Sequence, residues 1–382
     1  GNEIDGDGNT ATGNNSGNGV VGSTNNVYGT GSGSTVTGSN NNVFGNSSGN
    51  TVTGTYNNAS GAFSGTNIQG NFNLAAGFSS GNTIRGSHNI ATGNSSGNEI
   101  DGDGNTATGN NSGKSVVGDN NNVYGTDSGN IINGDNNNAS GLSSGNYVTG
   151  DDNYVAGNRS GNNVTGNGNI DPGNDSGNNV NGNENIVMGN RSGNDVTGNG
   201  NNVSGNDSGN NVSGDDNYAA GSGAGNYLTG SGNIAVGLRA GAGTDDVPLA
   251  ANNSIAIGTD SAATADNAIA IGTNSLAEGS VAIGTNSHAA SGGTAIGDYT
   301  TSTGLNSAAL GINASATGAQ STALGVNTNA TGASSVAVGD NADAIGDNSS
   351  ALGVNANAAG LNSAALGVNT NATGASSVAV GD

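Results

Sequence analysis

The sequence predicts an all-β fold, a parallel β-solenoid in which short coils stack into an elongated rod. Two repeats predict it: a 16-residue unit runs without insertion over residues 1–240, and a 14-residue unit follows over residues 253–382. The third observation is the composition, with 74 glycines, 31% hydrophobic residues and a net charge of -23 in 382 residues. Because so few apolar residues normally leave a chain disordered, only a strict repeat can order this one.

Charge and composition exclude several classes of partner and site. Only 5 basic residues accompany 28 acidic ones, whereas nucleic acids and anionic membranes bind clusters of lysine and arginine. The apolar runs are far shorter than the roughly 20 residues that cross a bilayer, so we expect no membrane contact in this segment. The chain has no cysteine, which excludes disulfides and thiolate metal sites.

The 16-residue unit consists of two short stretches, each stopped by glycine. Glycine fills positions one, six and thirteen, and asparagine fills position nine. Position eleven is alanine or valine except at Asp171. Stretches this short with one apolar residue each are typical of strands joined by tight turns, so residues 1–240 are interpreted as fifteen coils. Position four supplies the predicted core: Ile100, Val116, Ile132, Val148 and Val164.

Charged residues at position fifteen alternate in sign over four successive units, at Arg159, Asp175, Arg191 and Asp207. In a solenoid these side chains stack about 4.8 Å apart, a spacing at which opposite charges attract. They are predicted to form ion pairs between coils. Such exposed pairs contribute little stability, so they indicate the stacking more than they create it.

Position seven offers the candidate metal site, because Asp103, Asp119, Asp135 and Asp151 follow in four successive units. Stacked carboxylates repel one another, and a hard cation such as Ca²⁺ prefers several oxygen ligands. Weak Ca²⁺ binding is therefore a hypothesis for this column. The alternative is a solvated turn, since serine and asparagine fill the same position in other units. The sequence indicates no other cofactor.

After residue 240 the repeat changes. Residues 241–252, which include Asp245, Asp246 and Pro248, break the register and are interpreted as a junction loop. In the 14-residue unit the residues one and three before a glycine are apolar, with a small residue between them, which is typical of a half-buried strand. The core predicted here comprises Ile255, Ile257, Ile269, Ile271, Val281, Ile283, Val336 and Val338.

Association of several chains is indicated by the outward positions ten and twelve of the first repeat. They carry large apolar residues such as Tyr28, Phe44, Ile90 and Met188. A solenoid with one apolar outer face aggregates unless partners cover that face, so we expect the chain to pair with copies of itself. The alternative is that these residues are exposed strand formers that reflect β-propensity alone.

The second repeat resembles the head repeats of trimeric autotransporter adhesins of the Yersinia adhesin (YadA) type. The similar segments read NSIAIG over 253–258, NAIAIG over 267–272, SVAIG over 280–284, SSVAVG over 334–339 and NSAALG over 362–367. The resemblance implies a left-handed parallel β-roll in each chain of a homotrimer. It also implies display at the cell surface, with anchoring to the outer membrane through a stalk and a barrel in regions outside this chain.

In that family such strands are associated with binding of matrix proteins such as collagen. The resemblance therefore implies that Ile255, Ile257, Val281 and Ile283 support a binding surface rather than make isolated contacts. The function expected is that of an adhesin head segment, whose partner is an extracellular matrix protein, a glycan or a cell-surface receptor. The alternatives are a structural filament or spacer, a phage tail-fibre shaft, and a binding module that acts as an isolated chain.

Catalysis is not expected. The two histidines, His88 and His288, lie about 200 residues apart in the sequence, and in a rigid stack of coils they cannot meet within one chain. A catalytic arrangement of serine, histidine and aspartate, or a histidine-based metal site, is therefore not expected.

Overall fold

The computed structural model describes residues 3–243 and 248–381, and over these residues it is an all-β parallel β-solenoid, so this part of the predicted fold is confirmed. Within these ranges no helix has the length and apolar character of a membrane span. The chain divides into two compact units, one that ends at Gly200 and one that begins at Asn201. Each coil contributes two short strands, and within each unit strands of successive coils pair in parallel.

The first sheet of the N-terminal unit contains one strand from the first half of each coil. Paired residues are 16 positions apart in the sequence, which is the length of the repeat, so that Thr83 lies beside Glu99 and Val148 lies beside Val164. Its strands are Glu3–Asp5, Gly19–Val21, Thr35–Thr37, Thr51–Thr53, Asn67–Gln69, Thr83–Arg85, Glu99–Asp101, Ser115–Val117, Ile131–Asn133, Val148–Thr149, Val164–Thr165, Val180–Asn181 and Val196–Thr197.

The second sheet of this unit contains the other strand of each coil with the same offset, so that Thr106 lies beside Asn122. Its strands are Thr10–Thr12, Asn26–Tyr28, Asn42–Phe44, Asn58–Ser60, Leu74–Ala76, Ile90–Thr92, Thr106–Thr108, Asn122–Tyr124, Asn138–Ser140, Tyr154–Ala156, Ile170–Asn174 and Ile186–Asn190.

The C-terminal unit has a long parallel sheet that runs through its whole length. Its pairing offset changes from 16 residues to 14, and two shorter coils place Ile269 beside Val281 and Val281 beside Thr294. The strands of this long sheet are Asn202–Ser204, Tyr218–Ala220, Ile234–Val236, Ile255–Ile257, Ile269–Ile271, Val281–Ile283, Thr294–Ile296, Ala308–Leu310, Thr322–Leu324, Val336–Val338, Ser350–Leu352, Ala364–Leu366 and Val378–Val380.

Two shorter rows of strands lie opposite the long sheet. The first comprises Val212–Ser213, Leu228–Thr229 and Leu249–Ala250. The second comprises Ala262–Ala263, Leu276–Ala277, His288–Ala289, Thr301–Ser302, Ser315–Ala316, Asn329–Ala330, Asp343–Ala344, Asn357–Ala358 and Asn371–Ala372.

The segment 241–252 takes part in this architecture. Leu249–Ala250 pairs with Leu228–Thr229, and Asn252 continues the position-seven column because its Oδ1 accepts a hydrogen bond from the backbone N–H of Ser231 at 3.0 Å. The described part of this segment thus belongs to one lengthened coil. Residues 244–247 of this segment, including Asp245 and Asp246, lie outside the described residues.

The glycine columns have two different physical causes. At Gly102, φ is +140° and an added Cβ would lie 2.0 Å from the carbonyl oxygen of Gly118 in the next coil, so stacked backbones exclude any side chain. At Gly97, an added Cβ would lie 2.6 Å from the Cβ of Ala91 and 2.9 Å from Cδ1 of Ile100. Position one must therefore be glycine because core side chains already fill the space there.

Candidate binding surface

Buried asparagines at position nine join successive coils of the N-terminal unit. The backbone N–H and Nδ2 of Asn121 donate to Oδ1 of Asn105 at 2.9 and 3.0 Å, and Nδ2 also donates to the carbonyl of Gly134 at 2.8 Å. Asn137 donates in the same way to Oδ1 of Asn121. The amide therefore has partners for both its donors and its acceptor inside the solenoid. The sequence shows this column, but only the structure shows its bonds.

In the N-terminal core each strand contributes one inward apolar side chain. The position-four residues Ile100, Val116, Ile132, Val148 and Val164 are each exposed by 1% or less. They face the position-eleven residues of the opposite sheet, among them Ala107, Val123 and Val155, which are fully buried. Only the middle residue of each short strand points inward, because side chains alternate between the two faces of a strand.

The core of the 14-residue coils differs from the sequence prediction. Ile255, Ile257, Ile269, Ile271, Val281, Ile283, Val336 and Val338 point outward and are half-buried or exposed. The buried residues are the alanines between them, such as Ala256, Ala270, Ala282 and Ala337, each exposed by 1% or less. They pack against alanines of the opposite sheet, among them Ala263 and Ala277. The alternation was recognised correctly but its phase was reversed, because the narrow interior accepts only small side chains.

This reversal leaves a continuous aliphatic row on the outside of the long C-terminal sheet. Each member lies beside the next through parallel strand pairing. Several members have more than a third of their surface exposed, including Leu324 at 45% and Leu352 at 40%. The aliphatic row comprises Ile257, Ile271, Ile283, Ile296, Leu310, Leu324, Val338, Leu352, Leu366 and Val380.

Within the N-terminal unit, Arg159 and Asp175 at position fifteen form an ion pair between neighbouring coils. Nε and Nη2 of Arg159 donate to the two carboxylate oxygens of Asp175 at 2.5 and 2.7 Å, and this hydrogen bonding lowers the pKa of Asp175. Arg191 adds a smaller lowering through its charge. Arg191 and Asp207 lie in different units, so their pairing stays a prediction. In the C-terminal unit Arg239 binds Asp260 in the same bidentate way, at 2.6 and 2.7 Å.

The position-seven carboxylates bind the backbone of the preceding coil. Oδ1 of Asp119 accepts a hydrogen bond from the N–H of Asp103 at 2.7 Å, and Asp135 and Asp151 repeat this contact one coil further on. Asn167 accepts the same bond in the coil after them. The column thus selects a short side chain with an acceptor oxygen, which explains why aspartate, asparagine and serine occur there.

The described residues contain no group of three or more histidine, cysteine, aspartate or glutamate side chains placed to hold a metal ion. A cation bound to Asp103, Asp119, Asp135 and Asp151 would have to use the carboxylate oxygens that the backbone leaves free. Calcium binding by this column stays a prediction.

Asp171 is the polar exception in the buried position-eleven column. It lies beside Val155 of the preceding coil and is fully buried, and neither carboxylate oxygen has a hydrogen-bond partner among the described residues. Burial raises the pKa of its carboxyl well above the usual range, because the ionised form loses its hydration without compensation. The interior therefore favours the protonated, neutral carboxyl.

The two histidines, His88 and His288, take part in separate surface contacts. The ring of His88 stacks on Phe72 at a centroid distance of 5.0 Å, and Phe72 stacks on Tyr56 at the same distance. Nε2 of His288 lies 3.1 Å from Oε2 of Glu278 on an exposed strand. Both contacts join side chains on the outer surface of stacked coils.

A groove on the first sheet of the N-terminal unit was not predicted from the sequence. We call it the Lys114 groove; it has a volume of about 450 Å³ and is lined by Asn98, Glu99, Lys114, Ser115, Asn130, Ile131 and Tyr147. Ser115 leaves a gap between Glu99 and Ile131, which occupy the same position in the neighbouring coils.

The Lys114 groove lies where the coil corner changes conformation. In the coils before it the position-three residue lies in a strand, and the N–H groups of Glu99 and Ser115 donate to the carbonyls of Lys114 and Asn130. From Tyr147 onward the same position has a left-handed backbone, with φ of +63° at Tyr147 and +61° at Asn163. No single repeat unit contains this change, which is why the sequence pattern does not reveal the groove.

The C-terminal repeats match the model of a known protein family. The model described as YadA head domain repeat (2 copies) matches residues 250–275, 276–293, 316–342, 344–370 and 358–382. The resemblance predicted from the sequence is thereby confirmed for this part of the chain. The comparison with curated proteins gives no match.

YadA head repeats and the β-solenoid fold characterise a structural protein of the adhesin type, and heads of this type are extracellular surface proteins. The matched residues include eight of the ten strands that carry the aliphatic row; Thr294–Ile296 and Ala308–Leu310 lie between two matched segments.

Proposed function

We propose that this chain is the head segment of a bacterial cell-surface adhesin, which attaches to host matrix, surfaces or other cells as a homotrimer. The observation that carries the proposal is that eight of the ten members of the aliphatic row lie within matched YadA head repeats. An uninterrupted row of exposed aliphatic side chains is typical of a surface that a partner covers. Copies of the same chain cover it when the rows of three chains face a common axis.

The proposed mechanism of attachment is multivalency. Stacked coils present similar outer surfaces at a spacing of about 4.8 Å, and three chains multiply each contact. Weak individual contacts then add to a strong attachment, because each further contact forms at a high effective concentration. No single deep pocket is needed for such a surface. The proposal places the segment outside the cell, anchored to the outer membrane through regions not in this chain.

The oligomer is tested with Leu324→Lys, which puts a charge into the aliphatic row. Sedimentation of the wild-type chain should give a trimer, and the variant should sediment as a monomer because an ammonium cannot be buried there unpaired. Thr331→Lys is the matched control, since Thr331 is exposed and lies outside the row. A folded wild-type monomer would contradict the homotrimer.

Adhesion is tested by binding of the wild-type trimer to immobilised matrix proteins, to glycans and to whole cells. Saturable binding that is lost in Leu324→Lys and kept in Thr331→Lys supports the adhesin. Intact trimers that bind none of these surfaces would instead favour the structural filament or spacer.

A further inference from the structure

The Lys114 groove contains an unneutralised positive charge in an acidic protein. Lys114 is the one lysine of the chain, and its ammonium forms no ion pair with any described residue. The guanidinium of Arg85, by contrast, lies 3.7 Å from the carboxylate of Asp101. An exposed ammonium that has no partner within the protein can bind one anionic group of a ligand.

The far end of the Lys114 groove is apolar. Tyr147 is 57% exposed and Ile131 is 42% exposed, and both residues line the groove. An exposed aromatic ring offers its face to the C–H groups of a flat ligand and its hydroxyl to a hydrogen bond. The left-handed backbone at Tyr147 distinguishes this residue from its counterparts in the preceding coils, which lie in strands.

Between these ends the lining is polar and mostly neutral. Asn98 and Ser115 carry an amide and a hydroxyl group, and the carboxylate of Glu99 is a strong acceptor. Such side chains bind the hydroxyl groups of a ligand as donors and acceptors. The volume of about 450 Å³ falls within the range of small-molecule sites.

We propose that the Lys114 groove binds a pyranose that carries one carboxylate, as a uronic acid does. The carboxylate lies on the ammonium of Lys114, the hydroxyl groups bind Asn98, Ser115 and Glu99, and a C–H face of the ring packs on Tyr147. The role of this site in attachment rests on the proposed function, since it makes the sugar one of the ligands of the adhesin.

The charge of the chain restricts the ligand to a single negative charge. With a net charge of -23, the protein repels polysulfated chains at long range, and the groove itself offers one cation. An extended acidic peptide is less suitable, because it binds an open sheet edge through backbone hydrogen bonds. Here the backbone groups are already used, as in the bond from the N–H of Glu99 to the carbonyl of Lys114 at 2.8 Å.

The test is an NMR titration of the full chain with methyl glucuronide, and with methyl glucoside as the neutral counterpart. We expect saturable binding of the glucuronide and at least about tenfold weaker binding of the glucoside, because the glucoside lacks the charge-assisted bond. Lys114→Met and Tyr147→Ala should each weaken glucuronide binding by about tenfold or more. Circular dichroism and the unfolding midpoint confirm that each variant is folded.

Tyr227→Ala is the matched control, because Tyr227 has the same position in its coil and a left-handed backbone with φ of +54°, but no lysine beside it. It should leave glucuronide binding unchanged. Absence of saturable binding, equal affinity for glucuronide and glucoside, or unchanged affinity in a folded Lys114→Met variant would each overturn the sugar site. Equal binding of a glutamate-containing tripeptide would overturn the assignment to a sugar.

Different experimental outcomes overturn the sugar site and the proposed function. Glucuronide binding by a chain that adheres to no matrix, glycan surface or cell supports the site and overturns the proposed function. Adhesion of the trimer without any glucuronide binding overturns the site and leaves the adhesin standing.

Discussion

The 16-residue coils and the 14-residue coils fill the same kind of interior with different chemistry. In the first, a buried amide at position nine binds the coils before and after it, as Asn121 binds Asn105 and Asn137. In the second, alanine columns fill both sheets, and Ser254 ends the amide column by donating to Oδ1 of Asn233 at 2.7 Å. The first design relies on hydrogen bonds between buried amides, whereas the second fills its interior with alanine and places its largest apolar residues on the outside.

The largest effect is expected from the amide column, with Asn121→Ala. This change leaves the carbonyl of Gly134 and the donors of Asn137 without partners inside the solenoid. Each buried orphan costs about 1–3 kcal/mol, so the free energy of unfolding should fall by roughly 3 kcal/mol or more. Chemical denaturation measures it. Asn122→Ala is the control, an asparagine one residue away that points outward, and an equal loss in both variants would contradict a special role of the column.

The next effect is a gain, expected from Asp171→Val. The change replaces an unpartnered buried carboxyl by the residue type that position eleven holds in neighbouring coils, and should raise the free energy of unfolding at pH 7 by about 2 kcal/mol or more. Unchanged or lower stability would show that the carboxyl has a partner in solution.

The pH dependence of this gain follows from the raised pKa of Asp171. The folded state holds the proton up to that raised pKa, whereas the unfolded chain releases it near 3.9. The stability of the wild type should therefore fall as the pH rises from about 4 to the raised folded pKa and stay constant above it. Asp171→Asn removes this pH dependence while it keeps a buried polar group, so titrating denaturation of both variants separates the two contributions.

The width of the C-terminal core is tested by Ala337→Leu. A larger side chain at this fully buried position should cost about 1–3 kcal/mol, because the alanine columns leave no space for it. Val336→Leu, on the outward face of the same strand, should change the stability of the isolated chain by less than about 0.5 kcal/mol. Thermal unfolding compares the two. If Ala337→Leu were tolerated and Val336→Leu were damaging, the phase that the sequence predicted would be restored.

The smallest effect concerns the position-seven carboxylates, with Asp119→Asn. The amide keeps the acceptor for the N–H of Asp103, as Asn167 does for Asp151, and removes one of the stacked charges. The unfolding midpoint should rise slightly at low ionic strength, and the gain should vanish in high salt.

Millimolar Ca²⁺ should raise the unfolding midpoint of the wild type more than that of the double variant Asp119→Asn with Asp135→Asn. A calorimetric titration without heat or shift would remove the calcium hypothesis.

The sequence predicts the register of the coils, but it does not predict the core residues of the C-terminal coils or the Lys114 groove. The glycine and asparagine columns predict the register, because a strict period leaves one way of stacking like residues on like. The pattern does not show whether Ala337 or its neighbours Val336 and Val338 point inward, because an alternation with a period of two has two possible phases. Hydrophobicity favours the wrong phase in a narrow core. The Lys114 groove escapes it as well, because its residues come from several coils and depend on the backbone change at Tyr147.

The in-register stacking of coils is tested most directly by disulfide trapping, which the absence of native cysteine permits. Thr83 and Glu99 lie side by side in successive strands, at a spacing of about 4.8 Å that a disulfide can bridge. Thr83 and Ser115 lie two coils apart, at about 9.6 Å, which a disulfide cannot bridge. Mild oxidation should link the pair T83C with E99C and leave T83C with S115C reduced. Failure of the first pair, or equal linking of both, would contradict the solenoid.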